Sequence, residues 1–297
     1  MQNTGTISPP KKNIPSSTLW LTRLRYQIFF GLGILLLLCL SIIMLAPFAW
    51  VFATSLRLPA QSFSVPPEWI PRDLEFGNYE RVFEEIPFWS QIMNSATVTL
   101  SIVLGQLVTA SLAGYAFAHL EFPGKSTLFW LIMATLMIPL PATIIPVYIL
   151  IGKLNLADTL MSLILPALPT AFGTFLLRQY FMTIPKEFEE AAEIDGANPF
   201  QVFARIYLPL VTPGMAVLAV LTFNAHWNEF FRPLIFMITK ERFTIPLGLF
   251  DLQGYMMTGS ISVVLAGIVL SIIPVLIVYA IGQLYLVEGI MMCGLKS

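Results

Sequence analysis

Charged residues are scarce in this chain, at 11% of 297 residues, whereas 57% of the residues are hydrophobic. A soluble domain carries about 25% charged residues on average. The shortage argues against a water-soluble protein, because too few charges are available to cover a surface that faces water. The formal net charge of −1 and the lack of a basic patch also give no indication of nucleic-acid binding.

Cysteine and histidine are rare as well, with two residues of each. Cys39 lies inside a long apolar run and Cys293 near the end of the chain, a pattern that does not indicate a disulfide. His119 and His226 lack the spacing of metal ligands, so we predict no metal site. The sequence also has no Gly-x-Ser-x-Gly motif. We therefore predict no catalytic residues and no cofactor, and keep a membrane enzyme only as an alternative.

Long apolar runs are what the chain has in abundance. A helix needs about 20 apolar residues to cross a bilayer. The runs are continuous rather than alternating, which excludes the strands of a membrane β-barrel. We predict an all-α polytopic membrane protein with six transmembrane helices, at residues 27–54, 90–116, 127–150, 159–181, 211–237 and 263–285.

Prolines interrupt three of these predicted spans. A proline inside a helix removes a backbone hydrogen bond and bends the helix. Kinked spans are therefore expected, and the sequence leaves open whether each kink is a hinge or a fixed bend. The prolines concerned are Pro139, Pro141, Pro146, Pro166, Pro169 and Pro274.

The basic residues before the first span predict the orientation in the membrane. Lys11, Lys12, Arg23 and Arg25 stand there without an acidic residue among them. An excess of Lys and Arg marks the cytoplasmic side, so the N-terminus is predicted to be cytoplasmic. Six spans place the C-terminus on the same side. We predict a flexible cytoplasmic tail at residues 1–25 and a transmembrane domain at residues 26–297.

The loop at residues 183–209 lies between the fourth and fifth predicted spans and is long and charged. Pro185 and the glutamates after it predict a short helix, since proline suits the first helical position and acids suit the first turn. Gly196 predicts a left-handed turn that ends this helix. Asn198 predicts the N-cap of a second helix, with Pro199 at its first position. The acidic face is typical of docking to a protein, because helices that lie on lipid usually carry Lys and Arg.

The residues of this loop also follow a fixed spacing. Glu190-Ala191-Ala192 is followed after three residues by Gly196, and after nine more by Ile206-Tyr207-Leu208-Pro209. This pattern resembles the coupling loop of the permeases of binding-protein-dependent ABC importers. Further segments resemble the carbohydrate branch of that family, the MalG-type subunits. Those segments are Asn78-Tyr79, Asn94-Ser95, Trp227-Asn228-Glu229-Phe230, Ile245-Pro246-Leu247-Gly248-Leu249 and Val287-Glu288-Gly289.

The resemblance implies a permease subunit rather than an enzyme, which forms half of the path for a sugar across the bacterial cytoplasmic (inner) membrane. The implied partners are a second, MalF-type permease subunit, two ABC ATPase subunits that bind ATP and Mg, an extracytoplasmic sugar-binding protein and the lipid bilayer. A non-sugar solute such as glycerol phosphate is the alternative substrate. The resemblance assigns ATPase coupling to Glu190, Ala191, Ala192, Asp195, Gly196, Ile206, Leu208 and Pro209.

One tetrapeptide superficially suggests that the chain binds ATP itself. Gly124-Lys125-Ser126-Thr127 has the end of a phosphate-binding loop, but that motif needs a glycine five positions earlier, where His119 stands. Lys125 is better interpreted as a charge that anchors the inner face of the membrane. The sequence therefore predicts that ATP is hydrolysed by another chain.

A set of polar residues lies inside the fifth predicted span. Ionisable groups at membrane depth face protein or water rather than lipid. Glu229 and Arg232 are three residues apart and can pair on one helix face. Two interpretations stay open, a lining of the substrate path and a network that packs helices together. A secondary transporter is a further alternative, and it would use Glu229 for ion coupling. The candidate path residues are Asn224, His226, Asn228 and Glu229.

Overall fold

The structure is a computed structural model that describes residues 16–59, 71, 73–254 and 259–294. Every regular element within these residues is helical. This confirms the predicted all-α fold. Short 3₁₀ turns at Leu165–Ala167 and Lys240–Arg242 and a π-helical turn at Phe203–Tyr207 accompany the α-helices. The α-helices are α1 Ser16–Ser55, α2 Gly77–Glu85, α3 Phe88–His119, α4 Lys125–Thr135, α5 Leu140–Lys153, α6 Leu160–Ile164, α7 Ala171–Phe181, α8 Glu187–Ile194, α9 Pro199–Val202, α10 Leu208–Leu210, α11 Thr212–Trp227, α12 Phe231–Phe236, α13 Ile245–Leu252 and α14 Ile261–Gly294.

The first helix, α1, belongs for most of its length to a structural unit of its own that ends at Ala53. It begins at Ser16, inside the segment predicted as a tail, and residues 1–15 lie outside the described residues. Its stretch Tyr26–Ser55 has 30 residues and a mean hydropathy of 2.9. A helix of that length rises about 45 Å and can cross a bilayer.

The second unit, from Thr54 onward, is built around α3. α3 and α7 approach each other closely because each carries a glycine where they meet. A Cβ atom added at Gly114 would lie 3.0 Å from the backbone nitrogen of Arg178, and one added at Gly173 would lie 3.1 Å from the Cβ of Ala110. Small residues at such contacts let the backbones of membrane helices pack closely.

The N-terminal end of α3 is bonded to two loops that are distant in sequence. Asn94 donates a hydrogen bond of 2.7 Å to the carbonyl oxygen of Glu241, and Ser95 accepts one of 2.8 Å from the backbone N–H of Ile245. Asp158 accepts hydrogen bonds from the backbone N–H groups of Ile238 and Thr239, at 2.9 and 3.0 Å. The loops that follow α5 and α12 therefore lie together at this end.

The C-terminal end of α3 meets a different set of segments. His119, the last residue of α3, lies 3.2 Å from the carbonyl oxygen of Phe181 at the end of α7, and 3.1 Å from the hydroxyl of Tyr207. Lys125, at the start of α4, lies 3.5 Å from the carbonyl oxygen of Ala118. Lys125 thus caps the last turn of α3, where a cation is favoured by the helix dipole.

These contacts show how often the chain crosses from one end of α3 to the other. Helices α4 and α5 together run from the C-terminal to the N-terminal end, α6 and α7 return, and α11 and α12 cross again. Each of these segments is bent or broken, yet each connects opposite ends of α3. α1, α3 and α14 are each long and apolar enough to cross a membrane. When three bent pairs of helices are counted as one span each, the described residues hold up to six candidate spans, as predicted, and the third of these pairs joins the segment Pro199–Leu210 to α11.

The predicted kinks are present at two of the proline sites. α4 and α5 meet at 100° beside Pro139, and the two parts of the fourth span, Leu160–Ala167 and Ala171–Phe181, meet at 42° beside Pro169. Pro146 and Pro274 lie inside α5 and α14, and both helices continue past them.

The fifth predicted span, residues 211–237, differs from a single helix at two places. The segment Pro199–Leu210 and α11 meet at an angle of 72°, and Val211, the first residue of the predicted span, lies between them. α11 ends at Trp227, and α12 starts only at Phe231. The polar residues 228 and 229 fall in this break, where the backbone is not helical.

Candidate functional site

The loop at residues 183–209 contains the short helix α8, which starts at Glu187 rather than at Pro185 as predicted. Thr183 and Ile184 still donate their backbone N–H groups to Tyr180 and Phe181. The chain is therefore still completing the end of α7 at these residues. The first bond between residues four apart in the new helix joins the N–H of Glu190 to the carbonyl oxygen of Lys186, at 3.0 Å. The predicted acidic first turn is present, with Glu187, Glu189 and Glu190.

The turn between the two halves of the loop confirms the prediction from Gly196. Gly196 has a φ of +83°, a conformation that residues with a Cβ rarely adopt. Its N–H donates to Glu193, and the N–H of Ala197 donates to Ala192. Helix α8 therefore ends in a compact left-handed turn.

The second half of the loop starts with the predicted cap. Asn198 accepts a bond of 2.9 Å from the N–H of Gln201, and Gln201 accepts one of 2.9 Å from the N–H of Asn198. Pro199 occupies the first position. This reciprocal capping box fixes the direction in which α9 leaves the turn. The contribution of Gln201 was not predicted, although the spacing of three residues is its usual sign.

Four of the eight predicted coupling residues lie around one cleft of about 430 Å³, namely Ala192, Asp195, Gly196 and Ile206. Gln201 and Arg205 line the same cleft. The fixed spacing in the sequence therefore corresponds to one place in the structure. Leu208 and Pro209 lie beyond it in α10, after the π-helical turn that the sequence did not predict.

Helix α8 has an attached side and an exposed side. Ala192 is buried, and the side chain of Glu189 points toward the body of the protein, 21% exposed. Glu190 and Ala191 are exposed, as are two large apolar residues, Phe188 and Ile194. Ile194 is 87% exposed. The exposed side thus combines carboxylates with apolar side chains, the mixture found at surfaces that bind a partner.

Beneath α8 lies a polar cluster that the sequence did not predict. The hydroxyl of Tyr207 donates to Glu189 at 2.9 Å and lies 3.1 Å from Nδ1 of His119, which is itself 3.3 Å from Glu189. One indication of this cluster is present in the sequence: His119 follows the second predicted span and Tyr207 precedes the fifth, so both are predicted at the same side of the membrane. No group of His, Cys, Asp and Glu among the described residues could hold a metal ion.

The second candidate site is the polar break in the fifth span. Arg232 donates to both carboxylate oxygens of Glu229, which confirms the predicted pair, although Glu229 precedes α12 instead of lying on it. Arg232 also donates to the carbonyl oxygen of Leu163 at 3.0 Å, and its Nη2 lies 3.0 Å from Nδ1 of His226. These residues join the break to the fourth span, as the packing interpretation predicts.

Asn224 and Asn228 behave differently from this network. Both side chains are exposed, and within the described residues the Asn228 side chain bonds only to Asn224, to the carbonyl at 2.9 Å and the side chain at 3.1 Å. Asn224 also lines a cavity of about 260 Å³ with Phe223 and Tyr279. The structure therefore divides the predicted path residues: His226 and Glu229 are bonded into the helix packing, whereas the two asparagines are open.

Comparisons with known proteins agree with this architecture. Over residues 90–287 the chain matches the family described as binding-protein-dependent transport system inner membrane component. It is 34% identical over 228 residues to the arabinooligosaccharides transport system permease protein AraQ of Halalkalibacterium halodurans, a match that covers 76% of this chain and 81% of the relative. It is 35% identical over 208 residues to the sn-glycerol-3-phosphate transport system permease protein UgpE of Shigella flexneri, covering 69% and 73%.

Solved structures show the same fold. A chain in the crystal structure of a bacterial ABC transporter involved in the import of the acidic polysaccharide alginate superimposes with a TM-score of 0.74 at 30% sequence identity, covering 87% of this chain and 96% of the other. The family match spans most of the described helices, including the 183–209 loop and the break in the fifth span. The chain therefore belongs to the inner membrane components of binding-protein-dependent transport systems, the permease subunits of ABC importers.

Proposed function

We propose that this permease carries a sugar and that its 183–209 loop couples the movement of cytoplasmic ATPase subunits to the opening of the path. The observation that carries the proposal is the two-sided build of α8. Its inner side is fixed by Ala192 and Glu189, while Glu190 and Ile194 are left open on the other, and Phe188, one turn before Ala192, is exposed beside it. A short rigid helix with an open apolar and acidic face is suited to sit in a cleft of another protein.

In this proposal the assembly has four core parts: this chain, a second, MalF-type permease subunit and two ABC ATPase subunits. An extracytoplasmic sugar-binding protein delivers the substrate. ATP and Mg are bound by the ATPase subunits, whose closure moves α8 and opens the path to the outside, and hydrolysis resets it. Both termini of this chain are cytoplasmic, on the side of α8. Among the coupling residues, Gly196 forms the turn and Ile206, Leu208 and Pro209 connect it to α11.

The sugar is proposed as substrate because two similar proteins are named for the transport of arabinooligosaccharides and alginate. Glycerol phosphate is the second candidate, supported by the relative named for sn-glycerol-3-phosphate. Arg232 is the one lysine or arginine at residues 211–237, and it is buried and already paired with Glu229. A phosphate in the path would find no free cation on this span, and this favours a sugar over a solute that carries a phosphate.

The variants Glu190→Lys and Gly196→Pro test the coupling role. Glu190→Lys reverses the charge of the exposed side, and Gly196→Pro replaces a residue at φ +83° by one restricted to about −65°. Both are expected to release the ATPase subunits from the purified complex, while the yield of the membrane-inserted chain stays unchanged. Glu121→Lys is the matched control, since Glu121 is 83% exposed near the same end of α3 but outside the loop. Retention of the ATPase by both loop variants would refute the role.

A further inference from the structure

His119 is the meeting point of four segments. It is the last residue of α3, yet its ring contacts the end of α7 through Phe181, α8 through Glu189 and the π-helical turn through Tyr207. The His119 side chain is 3% exposed. A buried ring with polar contacts on both nitrogens is held in one orientation, because any rotation would break at least one of those contacts.

The direction of the hydrogen bonds follows from the groups involved. The carbonyl oxygen of Phe181 can only accept, so Nε2 of His119 donates to it at 3.2 Å. Tyr207 donates its single proton to Glu189 at 2.9 Å, and Nδ1 of His119 lies 3.1 Å from the Tyr207 oxygen and 3.3 Å from Glu189. The three side chains thus form a continuous polar connection from α3 to α8.

This connection attaches α8 to the rest of the protein together with the buried Ala192. The helix has eight residues, and among them Ala192 is buried while Glu189 is partly covered. Aromatic rings support the polar contacts from below: the ring centroids of His119 and Tyr207 are 4.1 Å apart, and those of Tyr115 and Tyr207 are 5.4 Å apart.

Helix α3 connects this point to the opposite face of the membrane. It has 32 residues and therefore rises about 48 Å. Its first turns are bonded to the loop after α12, where Ser90 and Asn94 both donate to the carbonyl oxygen of Glu241, at 3.1 and 2.7 Å. A continuous helix is a rigid element of the kind that carries coupling between distant sites.

We propose that His119 is the positioning residue through which a movement of α8 is passed to α3, and through α3 to the loop at Glu241 on the opposite face. The proposal rests on the coupling role proposed above for the 183–209 loop, and it adds the residue and the helix that carry the movement. His119 neither touches the ATPase nor lines the path in this account. Its removal leaves the docking surface of α8 in place and disconnects it from the spans.

The test compares four variants in the complex purified with its own ATPase subunits and reconstituted in vesicles supplied with MgATP and the binding protein. His119→Ala removes the connection, and His119→Gln keeps a donor and an acceptor on a side chain of similar length. Tyr207→Phe removes a single hydroxyl and spares the ring. Tyr115→Phe is the matched control, because the buried Tyr115 hydroxyl has no hydrogen-bond partner among the described residues.

The readout is solute imported per ATP hydrolysed, measured beside the amount of co-purified ATPase. We expect His119→Ala to retain the ATPase and to lower the import ratio about tenfold or more, as loss of a buried hydrogen-bonded link does. His119→Gln restores part of the ratio, Tyr207→Phe lowers it less than His119→Ala, and Tyr115→Phe leaves it unchanged.

An unchanged import ratio in His119→Ala and Tyr207→Phe would overturn the inference and leave the coupling role of the loop intact. Loss of the ATPase in these two variants, with retention in Tyr115→Phe, would also overturn it, since His119 would then be required for docking. Failure of the unaltered chain to retain an ATPase would overturn the coupling role, and this inference with it.

Discussion

Gln106 of α3 donates a hydrogen bond of 2.8 Å to the carbonyl oxygen of Ala167, at the point where the fourth span is broken. Thr109, one turn further along α3, donates one of 2.8 Å to the carbonyl oxygen of Leu168. The break beside Pro169 leaves these carbonyls without partners in their own helix, and in a membrane they must be satisfied by neighbouring groups. Two side chains of α3 thus lie within hydrogen-bond distance of the carbonyls exposed at the kink of the fourth span.

The first prediction concerns this support. Gln106→Leu should lower the free energy of unfolding by about 1–3 kcal/mol, because the Ala167 carbonyl and the Thr222 hydroxyl, which donates to Gln106 at 2.9 Å, lose a buried partner. Thermal unfolding in detergent measures the change. Thr135→Val is the control, since the exposed Thr135 hydroxyl donates to the carbonyl oxygen of Ile132 in its own helix. Equal unfolding midpoints for the two variants would show that the bend needs no support from α3.

The second prediction concerns the substrate path. Asn224→Cys and Asn228→Cys, in a chain whose two cysteines are replaced by serine, should react with a water-soluble thiol reagent in at least one state of the complex. Their side chains are exposed in the isolated chain, and amides at membrane depth face water or protein. Leu218→Cys is the control on the same helix, because Leu218 is 1% exposed and should stay unlabelled. Cysteines at both asparagine positions that stay inert in every state would remove these residues from the path.

The third prediction concerns pH. Partial burial acts to raise the pKa of Asp158, but hydrogen bonds from Thr239 and Ile238 and the nearby Arg242 outweigh it and lower the pKa from 3.8 to about 2. A carboxyl group with a lowered pKa stabilises the fold while it is ionised. Its contribution is therefore complete above pH 3.8 and is lost as the pH falls through about 2.

The pKa of Asp158 can be tested through stability. The difference in unfolding midpoint between the unaltered chain and Asp158→Asn should be constant from pH 7 down to about 4 and should shrink below that value. Glu121→Gln is the control, since Glu121 is 83% exposed and its pair with Lys125 contributes little. A difference that already disappears near neutral pH would contradict the assigned bonds.

The sequence predicted those parts of the fold that local rules determine. Uncharged runs give the spans because burial of apolar side chains in lipid is a property of each segment alone. The turn and the cap of the 183–209 loop could be predicted from Gly196 and Asn198, because φ and capping preferences act within a few residues.

What the sequence did not predict depends on contacts between distant segments. The break after Trp227 is stabilised by Arg232 reaching the carbonyl of Leu163 in another span. The inward direction of Glu189 depends on Tyr207 and His119, which lie far from it along the chain. A one-dimensional pattern shows three acids in the first turn of α8 but does not show which of them faces the protein.

The central claim is that α8 lies on the cytoplasmic side, at the opposite face of the membrane from the loop at Glu241. Labelling of Ile194→Cys and Glu241→Cys with a membrane-impermeant maleimide, in vesicles of known orientation without native cysteines, tests it directly, since both positions are exposed. Ile194→Cys is expected to react only from the cytoplasmic side and Glu241→Cys only from the outside. Reaction of Ile194→Cys from the outside would contradict it.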